Sequence, residues 1–134
     1  MPCSHLFRQT ERYLFEHGLK PLSAIKDMIG SQATKGMHVL AKFAPIVKSC
    51  GVWTDGVALT AIEAYPSACK KSAIIKKLRS GYQALGHDDG EDALTCALLA
   101  YLFAEQREAL AAPGPSVRVR EGWIWVPKDA VDQQ

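Results

Sequence analysis

The stretch Val57-Ala58-Leu59-Thr60-Ala61-Ile62-Glu63-Ala64-Tyr65 decides the fold class. It is mostly apolar, short for a helix, and followed by Pro66, so it predicts a buried strand over residues 57–65. Glu63 is the exception, because a carboxylate at a buried strand position is costly unless it is paired or bound to a metal ion. The alternative is an edge strand that directs Glu63 to water.

On either side of this strand, the spacing of apolar residues predicts helices near 7–17, 35–49, 67–79 and 91–108. A second strand is predicted at 121–126, a loop at 51–56, and a turn with a short helical segment at 21–30. The helix at 91–108 is expected to organise the core by burying Leu94, Leu98 and Leu102. These elements predict one α+β domain over residues 1–134.

The composition is that of an ordinary globular domain. Of the 134 residues, 48% are hydrophobic and 22% charged, and the net charge is +2. The longest apolar run, Ala93 to Ala104, is about twelve residues, short of the roughly 20 that cross a bilayer. The N-terminus does not have the pattern of a secretory signal, and the four cysteines lie far apart. We therefore expect a cytoplasmic protein with reduced thiols and no membrane partner.

Carboxylates suggest a metal site. Besides Glu63, an acidic cluster stands at the start of the apolar helix near 91–108, and two or more converging carboxylates suit a hard cation such as magnesium or manganese. The candidate metal ligands are Glu63, Asp88, Asp89 and Asp92. The alternative for the cluster is helix capping, since acidic residues complement the macrodipole of a first turn and have capping-box spacing here.

Basic and aromatic residues offer a second kind of site. Four lysines of the helix near 67–79 are candidates for binding a nucleic-acid backbone: Lys70, Lys71, Lys76 and Lys77. A solvated helix face is the more ordinary interpretation. Trp123 and Trp125 alternate along the second strand and could stack on bases, with packing in the core or an interface as the alternative.

Four blocks of sequence occur in an order that is typical of a known family. They are Phe7-Arg8-Gln9-Thr10-Glu11-Arg12, Ala61-Ile62-Glu63-Ala64-Tyr65-Pro66-Ser67-Ala68, His87-Asp88-Asp89-Gly90-Glu91-Asp92-Ala93-Leu94-Thr95-Cys96-Ala97-Leu98, and Gly122-Trp123-Ile124-Trp125-Val126-Pro127. Over about residues 7–127 the chain resembles the C-terminal half of a predicted RNase H-like nuclease family, catalogued as domain of unknown function family four-two-nine.

The resemblance implies an RNase H-like sheet flanked by helices, with catalytic carboxylates at Glu63 and Asp92 and auxiliary metal ligands at Asp88 or Asp89. The family pattern also has an N-terminal glycine-rich three-strand meander that carries an aspartate, and this sequence lacks it. Two-metal phosphoryl transfer needs several converging carboxylates, so we expect a partial fold that is catalytically incomplete alone.

Two functions follow as expectations. The first is a nuclease-derived domain that binds a divalent cation or nucleic acid. The second is a non-catalytic homo-oligomeric interaction or assembly module. In either case, a sheet that has lost strands would expose an edge and an apolar surface. We therefore expect a homodimer that uses a strand edge or the region of Trp123 and Trp125.

Overall fold

The computed structural model describes residues 7–20 and 30–131 and shows an α+β protein. The turn predicted at 21–30 lies outside the described residues, except that Gly30 begins a helix. The α-helices and strands are α1 (Gln9–Glu16), α2 (Gly30–Phe43), β1 (Ile46–Ser49), β2 (Val52–Thr54), β3 (Thr60–Ala64), α3 (Ala73–Arg79), α4 (Asp88–Glu105), β4 (Ile124–Trp125) and α5 (Lys128–Val131). Short 3₁₀-helices span Pro66–Lys71, Arg107–Ala109 and Val119–Glu121.

The four strands form one sheet in the order β1-β2-β3-β4. β1 and β2 are antiparallel, with Ile46 opposite Thr54, and β2 and β3 are antiparallel, with Val52 opposite Ile62. β3 therefore has a neighbour on each side, and the edges of the sheet are β1 and β4. The expectation that Glu63 could lie on an edge strand is wrong.

The predicted strand at 57–65 is confirmed in its second half only. The first three residues of the predicted strand form a turn because their backbone N–H groups bind the Asp55 carboxylate. Its Oδ1 atom accepts hydrogen bonds from the backbone N–H groups of Val57, Ala58 and Leu59, at 2.8, 3.0 and 2.9 Å. These bonds lower the pKa of Asp55. An aspartate that binds nearby backbone groups competes with strand pairing, so β3 begins only at Thr60.

The predicted helix at 35–49 and loop at 51–56 are wrong over residues 44–54. Pro45 has no N–H donor and cannot continue the helix, which ends at Phe43. The chain then forms β1 and turns back into β2 at Gly51, whose φ of 75° favours glycine. The sheet therefore has two strands, β1 and β2, in addition to the two that the sequence predicted.

The remaining boundaries differ for local reasons. The helix predicted at 67–79 is a 3₁₀-helix followed by α3, and the two are separated by Ser72. The Ser72 hydroxyl accepts a hydrogen bond from the N–H of Ile75 at 3.2 Å and caps α3. α4 begins and ends three residues earlier than predicted, and the strand predicted at 121–126 shortens to Ile124–Trp125.

The chain divides into two compact units. Of the described residues, the first unit contains 7–20, 30–63 and 113–124, and the second contains 64–112 and 125–131. In the first unit the core contains Leu14, Ala44, Val52 and Trp123, all buried. The buried Thr10 hydroxyl accepts a hydrogen bond from the N–H of Ile124 at 3.0 Å, which ties α1 to the last strand.

The core of the second unit is built on α4. Leu98, Leu99, Leu102 and Phe103 are buried, whereas Leu94 is half-buried. The predicted central role of this helix is confirmed for Leu98 and Leu102, but its buried stripe begins one turn later than expected. Within residues 7–20 and 30–131, no helix combines the length and apolar character needed to cross a membrane.

Candidate functional site

Glu63, the carboxylate singled out in the sequence, forms a bidentate ion pair with Arg8. Arg8 Nη2 lies 2.8 Å from Glu63 Oε1, and Arg8 Nη1 lies 2.9 Å from Glu63 Oε2. A planar guanidinium matches a carboxylate in this two-point geometry, and such charge-assisted bonds are stronger than neutral ones. The ion pair explains how β3 accommodates a half-buried glutamate.

Arg8 also binds two other residues of the first unit, Glu11 and Glu121. Its Nε atom lies 3.2 Å from Oε1 of the buried Glu11, and its backbone N–H donates to Glu11 Oε2 at 2.7 Å. Arg8 Nη1 also donates to the carbonyl oxygen of Glu121 at 3.2 Å. Burial acts to lower the pKa of Arg8, but its bonds and proximity to Glu63 and Glu11 outweigh it and raise that pKa. We call Arg8, Glu11 and Glu63 the arginine cluster.

The arginine cluster does not fit a magnesium or manganese ion. Both oxygens of Glu63 accept hydrogen bonds from a guanidinium, so a divalent cation would have to displace a positive charge that is already well matched. Across residues 7–20 and 30–131, no group of three or more His, Cys, Asp or Glu side chains is arranged to hold a metal ion. The geometry of Glu63 instead suits a structural role.

The other predicted carboxylates lie at the start of α4. Its N-cap is His87, whose Nδ1 accepts a hydrogen bond from the N–H of Asp89 at 3.2 Å. The proposed capping boxes of the acidic residues are therefore wrong, although Asp88 and Asp89 stand in the first turn, where negative charge complements the macrodipole. Histidine is not among the preferred N-cap residues, so the sequence carried no clear signal for this cap.

Glu91 is the acidic residue of this turn with a defined partner. Its oxygens lie 2.7 Å from Arg79 Nε and 2.6 Å from Arg79 Nη2, and it also accepts from the N–H of Leu85 at 3.1 Å. The hydrogen bond from Arg79, together with that from Leu85, lowers the pKa of Glu91 to about 2. Asp88, Asp89 and Asp92 are exposed. Because Asp92 belongs to the second unit and Glu63 to the first, their convergence on one cation stays a prediction.

A hollow of about 230 Å³ lies beside this turn, within the second unit. It brings together three of the predicted site residues, Lys70, Lys76 and Asp92. The other lining residues are Pro66, Cys69, Ile75, Arg79, Glu91 and Thr95. Lys70 and Lys76 are exposed, and neither takes part in an ion pair of the described residues. Lys71 and Lys77 are also exposed but do not line the hollow.

The two tryptophans are part of the protein core. Trp123 and Trp125 are only 3% and 4% exposed. In the first unit the Trp123 ring lies 5.2 Å from Tyr13, and in the second the Trp125 ring meets Phe103 edge-on at 5.0 Å. Neither ring presents a face to solvent for stacking on bases or for docking a second subunit. The packing alternative is confirmed, and the part of the dimer expectation that used these residues is corrected.

Comparison with known proteins gives no relative: no family model, no curated protein and no solved structure matches this chain. The RNase H-like resemblance therefore rests on the four sequence blocks. The site residue that sequence reasoning missed is Arg8. It lies in the first of those blocks, but no local pattern pairs it with a residue 55 positions later.

Proposed function

We propose that this chain is a nuclease-derived, RNase H-like domain that binds nucleic acid and does not cleave it on its own. The observation that supports the absence of cleavage is the bidentate Arg8–Glu63 ion pair. A carboxylate that must hold a catalytic cation is most effective when its oxygens are available to that cation. Here the Arg8 guanidinium neutralises Glu63 in place of a cation. The ion pair therefore stabilises the first unit and does not support hydrolysis.

The proposed binding face is the lysine surface of the second unit, formed by Lys70, Lys71, Lys76 and Lys77. All four are exposed, and two of them flank the hollow described above. Lysines that neutralise phosphates release counterions, so binding of this kind is sensitive to salt and tolerant of sequence. Asp92 lines the same hollow and would repel a phosphate group inside it. The nucleic-acid backbone would therefore cross the rim of the hollow.

The test is fluorescence anisotropy with labelled single-stranded and double-stranded RNA and DNA over a series of salt concentrations. The variant Lys70→Gln/Lys76→Gln should weaken binding and reduce the salt slope by roughly 1.4 to 1.8, as expected for two lost phosphate contacts. Lys35→Gln/Lys42→Gln removes the same charge from exposed positions of α2 and should bind more nearly like the wild type.

If both double variants lost affinity equally, binding would depend on the total positive charge, and the proposed face would be contradicted. A separate assay follows cleavage of the same oligonucleotides with magnesium or manganese. We expect no cleavage. Metal-dependent cleavage that disappears in Glu63→Gln, while the variant remains folded by circular dichroism, would overturn the non-catalytic assignment.

A homo-oligomeric interaction or assembly module is the second candidate. It is favoured by a different observation, the exposed large apolar side chains that cluster in sequence on α2 and β1. Soluble monomers expose single apolar residues routinely, but contiguous apolar patches commonly mark interaction sites.

A further inference from the structure

The hollow of the second unit has an apolar wall and a charged rim. Among its lining residues, Cys69 and Ile75 are only 1% and 5% exposed, so they lie deepest in the wall, and Pro66 adds further carbon surface. Lys70 and Lys76 line the same hollow and are exposed, so they belong to its rim. A ligand that fills the hollow therefore needs an apolar body, with its negative charge outside.

The two acidic lining residues differ in what they already bind. Both oxygens of Glu91 accept hydrogen bonds from Arg79, and one also accepts from the N–H of Leu85. Asp92, the next residue of α4, is exposed, and its side chain makes no ion pair or hydrogen bond with residues 7–20 and 30–131. An ionised carboxylate only accepts hydrogen bonds. Asp92 therefore favours a ligand group that carries N–H donors.

The size of the hollow limits the ligand to one ring system. Its volume of about 230 Å³ is below the roughly 300 to 1,000 Å³ of sites that enclose a drug-sized ligand. A nucleobase has the required properties, because its faces are apolar and its edge carries hydrogen-bonding groups. Within a strand, each base also has phosphates beside it, where the lysines of the rim can bind them.

We infer that the hollow receives one unpaired base that carries an exocyclic amine, with the amine bound by Asp92 and the neighbouring phosphates by Lys70 and Lys76. This inference rests on the proposed nucleic-acid binding and names the base class and the strand state that the site prefers. Cytosine presents an N4 amine where uracil presents an oxygen acceptor, which a carboxylate repels. The site should therefore distinguish two pyrimidines of nearly equal size.

The unpaired state follows from the same geometry. In a duplex the bases are stacked and paired, and extruding one of them costs free energy. The lysines of the rim can still bind the phosphates of a duplex, but the hollow then stays unfilled. Single strands should therefore bind more tightly than duplexes at salt concentrations that weaken the phosphate contacts.

Fluorescence anisotropy with oligocytidylate and oligouridylate of equal length tests the choice of base, since the two strands carry the same phosphate charge. The wild type should bind oligocytidylate roughly threefold or more tightly, as expected for one additional hydrogen bond. Asp92→Asn should reduce this ratio, because an amide presents donors as well as an acceptor. Asp89→Asn removes the same charge from an exposed position of α4 that does not line the hollow, and it should keep the wild-type ratio.

A second pair of variants tests entry of the base into the hollow. Thr95→Leu enlarges a half-buried lining residue and should weaken single-strand binding, while duplex binding on the rim stays near that of the wild type. Ala97→Leu makes a similar change at an exposed position of α4 outside the hollow and should leave both affinities unchanged. Circular dichroism establishes that each variant is folded.

The outcomes separate this inference from the proposed function. If the wild type binds both homopolymers equally and Lys70→Gln/Lys76→Gln weakens that binding, the lysine surface stands and this inference is overturned. A preference for oligocytidylate that Asp92→Asn leaves unchanged also overturns it. If the wild type binds no nucleic acid at any salt concentration, the proposed function and this inference fail together.

Discussion

Two arginine–glutamate ion pairs, one in each unit, show how similar contacts take different roles. Arg8 meets Glu63 across 55 positions of sequence, and Arg79 meets Glu91 across 12. Both are bidentate, and in both the glutamate side chain is 37% exposed. They differ in what else the arginine holds.

Arg8 is also bound to Glu11, which is 3% exposed, whereas the remaining donors of Arg79 reach the carbonyl oxygens of Tyr82 and Gln83 in an exposed turn. Removing Arg8 would leave a buried charge without its partner, whereas removing Arg79 would release a surface turn. The second carboxylate, Glu11, and not the shared ion-pair geometry, therefore makes the Arg8–Glu63 pair a structural anchor.

The largest loss of stability is expected when the helix that holds the Arg79–Glu91 pair loses its core packing. Glu91 stands on α4, whose Leu102 is fully buried. Leu102→Ala should lower the free energy of unfolding by about 2 to 5 kcal/mol through loss of burial and creation of a cavity. Urea denaturation measures the change. Leu94→Ala, at the half-buried end of the same stripe, should cost clearly less, and equal effects would show that α4 is not the core of this unit.

The anchor itself is tested by Arg8→Ala. This change should lower the free energy of unfolding by roughly 2 to 3 kcal/mol, less than for a fully buried pair because Glu63 is partly solvated. Denaturant unfolding measures it, followed by far-ultraviolet circular dichroism and by tryptophan fluorescence, which reports on both units because Trp53 and Trp123 lie in the first and Trp125 in the second.

Arg79→Ala is the matched control for that experiment. It removes the same side chain from a solvent-screened surface pair and should lower the stability clearly less than Arg8→Ala does. If the two alanine variants were equally stable, Glu11 would not distinguish the pairs. Arg8→Ala/Glu11→Gln should recover part of the loss, because the buried charge is then gone.

The smallest expected effect is the pH dependence of the Arg79–Glu91 pair. Since Arg79 holds the pKa of Glu91 at about 2, below its ordinary value near 4.5, the pair stabilises the folded state above pH 4.5. That contribution is lost as the pH falls from about 4.5 to 2. Thermal unfolding over this range should show a shallower acid decline in Glu91→Gln than in the wild type, whereas Glu105→Gln on the same helix should retain the wild-type slope. Identical slopes in all three proteins would contradict the pKa of Glu91.

Local pattern was sufficient for α1, for α4 and for β3, which is the second half of the predicted strand at 57–65. Apolar spacing locates these elements, and on α4 it also identifies Leu98 and Leu102 as buried. The same reasoning failed at β1 and β2, because four-residue and three-residue strands carry too little periodicity to separate them from a loop. It also failed at residues 57–59, where hydrogen bonds to the Asp55 carboxylate override strand propensity.

For the site, the sequence alone determined the candidate residues: a glutamate within an apolar strand, carboxylates at a helix start and four lysines on one segment. Only the tertiary structure decided that Arg8 neutralises Glu63, that His87 caps α4, and that Lys70, Lys76 and Asp92 share a hollow. The physical reason is range. Periodicity and capping act over a few residues. Arg8 and Glu63 are brought together only by the fold, so no local sequence pattern indicates their contact.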